Sequence, residues 1–515
     1  MPPPRLPKSA DLVVVGGGTA GAVMAGLVAA KGDRSVLVLE AGPDYGPFDG
    51  GEWPADLLDA RGLPTGGHDW GYHSSATYGA RGLPLERARV IGGCSAHNGC
   101  AAVWGHRLDY DGWERLGNPG WGADALRPYF ERANQRLRVH TPPRAALGPF
   151  HEAVLGAAPS AGLPLVDDLN DLDGPLGMAV SPINVADGVR WNSAFAYLDP
   201  VRGRRHVKVV GGVLVDRVVV ERGRAVAVEL VHDGRAGRVA CGEVVLAAGA
   251  YGSPAVLLRS GIGPADHLRA VDVAVAHELP GVGENLQDHP ALVLEYSGTP
   301  ELVAALRAFM RWAPLREEGT IAKARSSLCR EAFDLHVYPF GGPCAPFGRP
   351  RPPGERWTFA VPVACMTPRS RGRVRLAGRD STAAPIVDHA YLTDPDDHDR
   401  AVLLDGVELA RALAAQPPLR DLLGVECGPS ARAADRGALR RHVRTHGVHY
   451  YHPVGSCKMG SAADRAAVVD AQGRVHGIAG LRVADASVMP VIPRANTNLP
   501  TVVVGERIAA AILGA

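Results

Sequence analysis

Along the chain, apolar residues gather first in a short β-branched run, Leu12 to Val15. A glycine-rich turn and an alanine-rich stretch follow, and then a second apolar run, Val36 to Leu39, that ends in Glu40. This order predicts a strand, a tight turn, a helix and a second strand, which is a βαβ unit. Further on, "HVKVVGGVLVDRVVVERGRAVAVELV" at 206–231 reads as strands, and "EVVLAAGAYGSPAVLLRSGIG" at 243–263 reads as a buried strand, a small-residue turn, a helix and another turn. Near the C-terminal third, "AVLLDGVELARALAAQ" is patterned as a helix, and the acidic run "TDPDDHD" at 393–399 before it reads as a solvated turn. A chain of 515 residues exceeds one ordinary core of ~100–200 residues, so two or three packed units are expected.

Composition narrows the class. Hydrophobic residues at 46% and charged residues at 21% describe a soluble globular protein, and 55 Lys plus Arg against 54 Asp plus Glu leave no field to draw nucleic acid or an anionic membrane. The eight cysteines include no Cys-x-x-Cys pair and no zinc-like spacing, which suits reduced thiols in a cytoplasm. "MPPPRLPKSA" lacks a signal-peptide core, and no long uncharged apolar run predicts a membrane span. No G-x-S-x-G elbow supports a hydrolase, and 393–399 lacks EF-hand spacing, so no metal is assigned.

The glycines carry the first chemistry. Gly16, Gly18 and Gly21 fill the G-x-G-x-x-G positions between the first strand and its helix: a tight turn, room for a pyrophosphate, and close helix–strand packing. Glu40, at the end of the second strand, is placed to take the hydroxyls of an adenosine ribose. The fingerprint alone does not separate FAD from NAD. A second glycine pair, Gly92-Gly93, marks another close approach, and His97 follows it in "ARVIGGCSAHNGC". Taken by itself, that histidine is equally readable as a polar loop residue.

Six stretches in order resemble the glucose-methanol-choline (GMC) oxidoreductases: "VVVGGGTAGAVMA", "ARVIGGCSAHNG", "GAYGSPAVLLRSGIG", "LPGVGENLQDHP", "YYHPVGSCKMG" and "GLRVADASVMPVIPRANTNLPTVVVGERIAAAIL". The resemblance implies an α/β fold: a Rossmann-like FAD-binding domain from discontinuous segments (1–150, 200–290 and 460–515), and an α+β substrate domain with a mostly antiparallel sheet (151–199 and 291–459). It implies an enzyme that oxidises a primary alcohol to an aldehyde, with oxygen or another acceptor restoring the cofactor, acting as a monomer or homodimer. A non-oxygen dehydrogenase and a non-redox lyase on the same fold are the rival readings.

By the same resemblance His452 is the catalytic base and Asn498 its partner on the alcohol oxygen. Both roles suit a reaction that removes a proton from oxygen as hydride leaves carbon. Arg89, Gly92, Gly93, Asn98, Val215, Asp485 and Ala486 are implied around FAD together with Gly16, Gly18, Gly21 and Glu40. "GGCSAHN" resembles the choline oxidase stretch whose histidine is bonded to the flavin, so His97 is expected as a covalent tether, with a free pocket histidine as the alternative. For substrate, Ser297 is expected where choline oxidases carry a glutamate, Glu295 stands two residues earlier, and Tyr451 neighbours the base. The glutamate's absence and Gly99 argue against choline itself. The C-terminal motifs resemble equally the bacterial aryl-alcohol and hydroxymethylfurfural oxidases.

Overall fold

The computed structural model describes residues 6–64, 67–75, 82–316, 319–342, 357–433 and 435–514. The βαβ unit forms as its pattern predicts: strand Ser9–Val15, helix Thr19–Lys31 and strand Val36–Leu39. All four residues of Val36–Leu39 are buried, as a parallel strand covered on both faces requires. These two strands sit inside a seven-stranded sheet. Its order is Val207–Val210, Val36–Leu39, Ser9–Val15, Arg235–Leu246, Arg224–His232 and Val213–Glu221, with Leu481–Val483 joining the end of Arg235–Leu246. The central pairings are parallel, and the long hairpins of 213–246 are antiparallel. Segments more than two hundred residues apart thus meet in one sheet. Helix Asn498–Leu513 then lies against helix Thr19–Lys31, bringing the last motif to the first.

A second layer is built on a six-stranded antiparallel sheet, in the order Val448–His449, Pro290–Leu292, Val363–Cys365, Leu335–Val337, Thr320–Ala324 and Gly177–Val180. Alternation divides its faces. Leu335, Val337, Val363 and Cys365 join the apolar cluster of helices Pro149–Ala157 and His398–Ala414, whereas Ala291, Ile321 and Ala364 pack with Tyr338 and Tyr450 on the other side. The fold is the α/β arrangement expected, with a mostly antiparallel second sheet. No helix among the described residues is long and apolar enough to cross a membrane.

One local expectation fails. The helix predicted to start after the run 393–399 starts inside it, as His398–Ala414, and Asp394, His398 and Asp399 are buried instead of solvated. The Asp394 carboxylate accepts the His398 backbone N–H at 2.5 Å, so the acidic run closes a helix start against the sheet.

Candidate active site

A cavity of about 900 Å³ runs between the two layers. At one end its wall is main chain. Gly18 stands at the N-terminus of helix Thr19–Lys31, and no side chain caps that end. The helix therefore presents free N–H groups and the positive end of its dipole to the cavity. Gly93 comes from the opposite side, and a Cβ there would lie 2.6 Å from the Gly18 Cα. The two glycine loops are also tied directly, since Gly92 N–H donates to the Gly17 carbonyl at 2.8 Å. Gly21 does not line the cavity; a Cβ on it would fall 1.9 Å from the Gly16 oxygen, which fixes its role as helix–strand packing.

Glu40 is buried, and its two carboxylate oxygens accept from Gly17 N at 2.9 Å and Gly42 N at 2.8 Å. Burial pushes its pKa up to about 7 despite those two bonds. Val215, Asp485 and Ala486 line the same channel. Asp485 accepts from Gly249 N at 2.9 Å and Ser253 Oγ at 2.5 Å, joining the 243–263 turn to the C-terminal segment. Uncapped helix N–H groups, a glycine-narrowed wall and a buried carboxylate form a cradle that fits a dinucleotide.

His97 ends the short 3₁₀ turn Gly93–Ala96, and with Asn98 it faces the cavity. Its pKa falls to about 4, first through burial and then through the charges of Arg190 and Arg87, so the ring is neutral. Arg190 is fully buried and donates to the carbonyls of Asn98, Asp59, Gly62 and Leu57, anchoring the peptide that follows His97.

At the other end the wall is side chain. His452 follows strand Val448–His449 and lines the cavity beside Tyr451, Asn496 and Asn498. Tyr451 adopts φ 64, a left-handed conformation uncommon for a bulky residue, and its carbonyl accepts from Arg87 Nη1 at 3.1 Å. Asp288 binds the local frame: it accepts from the backbone N–H groups of His289 at 2.8 Å and His452 at 2.9 Å, and from Tyr391 Oη at 2.9 Å.

The ring of His452 makes two contacts, His289 Nδ1 to its Nδ1 at 2.9 Å and Asn496 Nδ2 to its Nε2 at 3.4 Å. An amide nitrogen only donates, so Nε2 of His452 is the unprotonated atom. Nδ1 of His452 then carries the hydrogen and donates to His289 Nδ1. Burial lowers the His452 pKa well below its ordinary value and that of His289 to about 3, and both rings are neutral. Asn498 opens helix Asn498–Leu513 with both amide atoms buried and without a partner. A neutral imidazole lone pair and an unsatisfied amide at one cavity wall form a site for a hydroxyl group.

Three expected residues lie elsewhere. Arg89 is exposed, its guanidinium 4.9 Å from the Trp70 ring centroid and its Nε donating to the Ala41 carbonyl, so it touches the cradle only through its charge on Glu40. Glu295 and Ser297 lie on strand Glu295–Gly298 of a separate four-stranded sheet and do not line the cavity. Ser297 is exposed there and donates to the Val425 carbonyl. That strand leaves the six-stranded sheet after Leu292, which carries its side chains away. Conversely, Arg87, His289 and Asn496 went unassigned. His289 and Asn496 sit inside motifs already quoted, but no spacing rule singles out one polar residue of such a motif.

Comparison with known proteins agrees with this geometry. Residues 10–291 and 368–505 match the sequence profile described as GMC oxidoreductase. The chain is 35% identical to the choline oxidase of Arthrobacter globiformis, over 97% of this chain and 93% of that protein. It is 34% identical to the oxygen-dependent choline dehydrogenase 1 of Chromohalobacter salexigens, over 98% and 95%. Among solved structures, pyridoxine 4-oxidase from Mesorbium loti superposes with a TM-score of 0.87 at 27% identity, covering 98% of this chain and 100% of the other. A fungal aryl-alcohol oxidase gives 0.79 at 25%, covering 99% of each.

Proposed function

The chain belongs to the GMC oxidoreductases and is an FAD-dependent alcohol oxidoreductase; from that premise we propose that it carries a primary alcohol to its aldehyde with His452 as the proton acceptor. The observation that carries this reading is the pairing of the unprotonated His452 Nε2 with the unpartnered Asn498 amide at one wall of the cavity. Asn498 Nδ2 donates to the alcohol oxygen and orients the carbinol carbon. His452 Nε2 takes the hydroxyl proton, and His289 accepts the Nδ1–H hydrogen bond that holds the ring in the required tautomer. FAD, when bound, supplies the hydride acceptor. Gly16, Gly18, Gly93, Glu40, Val215, Asp485 and Ala486 hold that cofactor, and Asn98 and the neutral His97 stand at its side. We read His97 as its covalent tether, oxygen as the final acceptor and the cytoplasm as the location. The division of the chain into a cofactor domain (1–150, 200–290, 460–515) and a substrate domain (151–199, 291–459) belongs to the same reading.

Anaerobic mixing of the yellow protein with aromatic, furanic, amino-bearing and aliphatic primary alcohols tests it, with flavin bleaching as the readout. Bleaching by at least one class, followed by peroxide on admitting air, is the expected result. Failure of every class to bleach the flavin would overturn the reading. Flavin released quantitatively by acid would remove the tether alone.

A further inference from the structure

On the far face of the six-stranded sheet, away from the cavity, a second group of reactive side chains meets. Cys365 ends strand Val363–Cys365, while His398 and Asp399 open the helix that covers it. Their sulfur, nitrogen and oxygen donor atoms lie within 4.8 Å of one another, and all three residues are buried. None lines the cavity. His398 is 8% exposed, and its Nε2 is buried without a hydrogen-bond partner.

We propose that Cys365, His398 and Asp399 bind one divalent metal ion, with a thiolate, an imidazole and a carboxylate as donors, and that the ion is Zn²⁺. Three features support it. A thiol, an imidazole and a carboxylate buried together in an apolar layer are costly when uncompensated, and a cation satisfies all three at once. Asp399 is already oriented: its oxygens accept from Arg369 N at 2.7 Å and Ser370 N at 3.0 Å, with the Ser370 side chain bonded to the same carboxylate. Such outer hydrogen bonds are what fix a carboxylate ligand. The sulfur–nitrogen–oxygen donor set suits Zn²⁺ over Mg²⁺ or Ca²⁺, which prefer oxygen alone.

Donors on a Zn²⁺ shell stand roughly 3–4 Å apart, so side-chain adjustments of about an ångström close the site, and a water completes the coordination. Binding displaces the Cys365 thiol proton to solvent. The ion would staple the start of the covering helix to the six-stranded sheet; it takes no part in alcohol oxidation. No spacing rule could reveal this site, because the cysteine comes from a strand and the other two ligands from a helix start.

The test uses purified holoprotein incubated with Zn²⁺ and desalted. Expected are one equivalent of zinc per chain, an X-ray absorption shell containing one sulfur at about 2.3 Å, and loss of that equivalent in both Cys365→Ala and His398→Gln with flavin content unchanged. Chelation should lower the melting temperature of the wild type and leave those of the variants unmoved. Wild-type protein that retains no zinc would overturn the proposal. So would a shell of nitrogen and oxygen only, or zinc that persists in the variants. The absorption measurement on the wild type decides the matter even should a variant fail to fold.

Discussion

The two ends of the cavity are made of different material. Around Gly18 and Gly93 the wall is main chain, shaped by the absence of side chains, and its donors are backbone N–H groups fixed by a helix and two loops. Around His452 and Asn498 the wall is side chain, and what matters is which ring nitrogen carries a proton and which amide atom is left unpaired. The first end recognises by shape, and at Gly93 it leaves no room for an added carbon. The second works through protonation state, so isosteric changes there alter chemistry without altering shape.

The largest effect expected from this contrast is on rate. His452→Ala removes the proposed proton acceptor and should slow anaerobic flavin reduction by ~10²–10⁴-fold, while the protein stays yellow. A colourless His452→Ala would erase the distinction between the two ends. Next comes Gly93→Ala, which combines a left-handed residue, φ 53, with a Cβ 2.6 Å from the Gly18 Cα. Strain and overpacking of ~2–3 kcal/mol should lower the flavin content of the purified protein, read from its visible absorbance, with the circular dichroism of the fold retained.

A third test uses acidity, since the two ends titrate with opposite sign in flavin-free protein. Glu40 has its pKa raised from 4.5 to about 7, so its share of stability is present below 4.5 and lost as pH rises through about 7. His289 has its pKa lowered from 6.5 to about 3, so its share is present above 6.5 and lost as pH falls through about 3. Between pH 4.5 and 6.5, Glu40→Gln should make the denaturation midpoint climb more steeply with pH, and His289→Asn should flatten it. Equal slopes in both variants would refute the buried, neutral state of these groups. The smallest effect belongs to Asn496→Ala, which deletes one neutral hydrogen bond to His452. A loss of roughly 2–10-fold in flavin reduction is expected, together with a shift in its pH profile.

Much of the first end was legible in the chain itself. Gly16, Gly18, Gly21 and Glu40 follow from turn geometry and from one helix, so a local pattern suffices. At the second end only His452 and Asn498 were reached, and only through resemblance; Asp288, His289 and Asn496 were missed, because these residues come from segments far apart and their meeting depends on sheet pairing that no period encodes. Where counting along a strand replaced such knowledge, as for Glu295 and Ser297, the strand changed sheets and the count failed. Arg89 was a different failure. Arg87, two residues earlier on the same extended segment, points inward and takes the place at the wall.

Strand Leu481–Val483, Asp485 and helix Asn498–Leu513 complete walls whose opposite sides are residues 16–21 and 243–249. During synthesis those early segments emerge long before their partners, and for most of that time the cradle is open and its apolar strands lack a neighbour. Cofactor capture therefore waits until residues 481–513 have been made. Until then the nascent chain offers exposed β-edges to other chains, so yield in a cell should depend on chaperone capacity and on how quickly residues 481–513 follow.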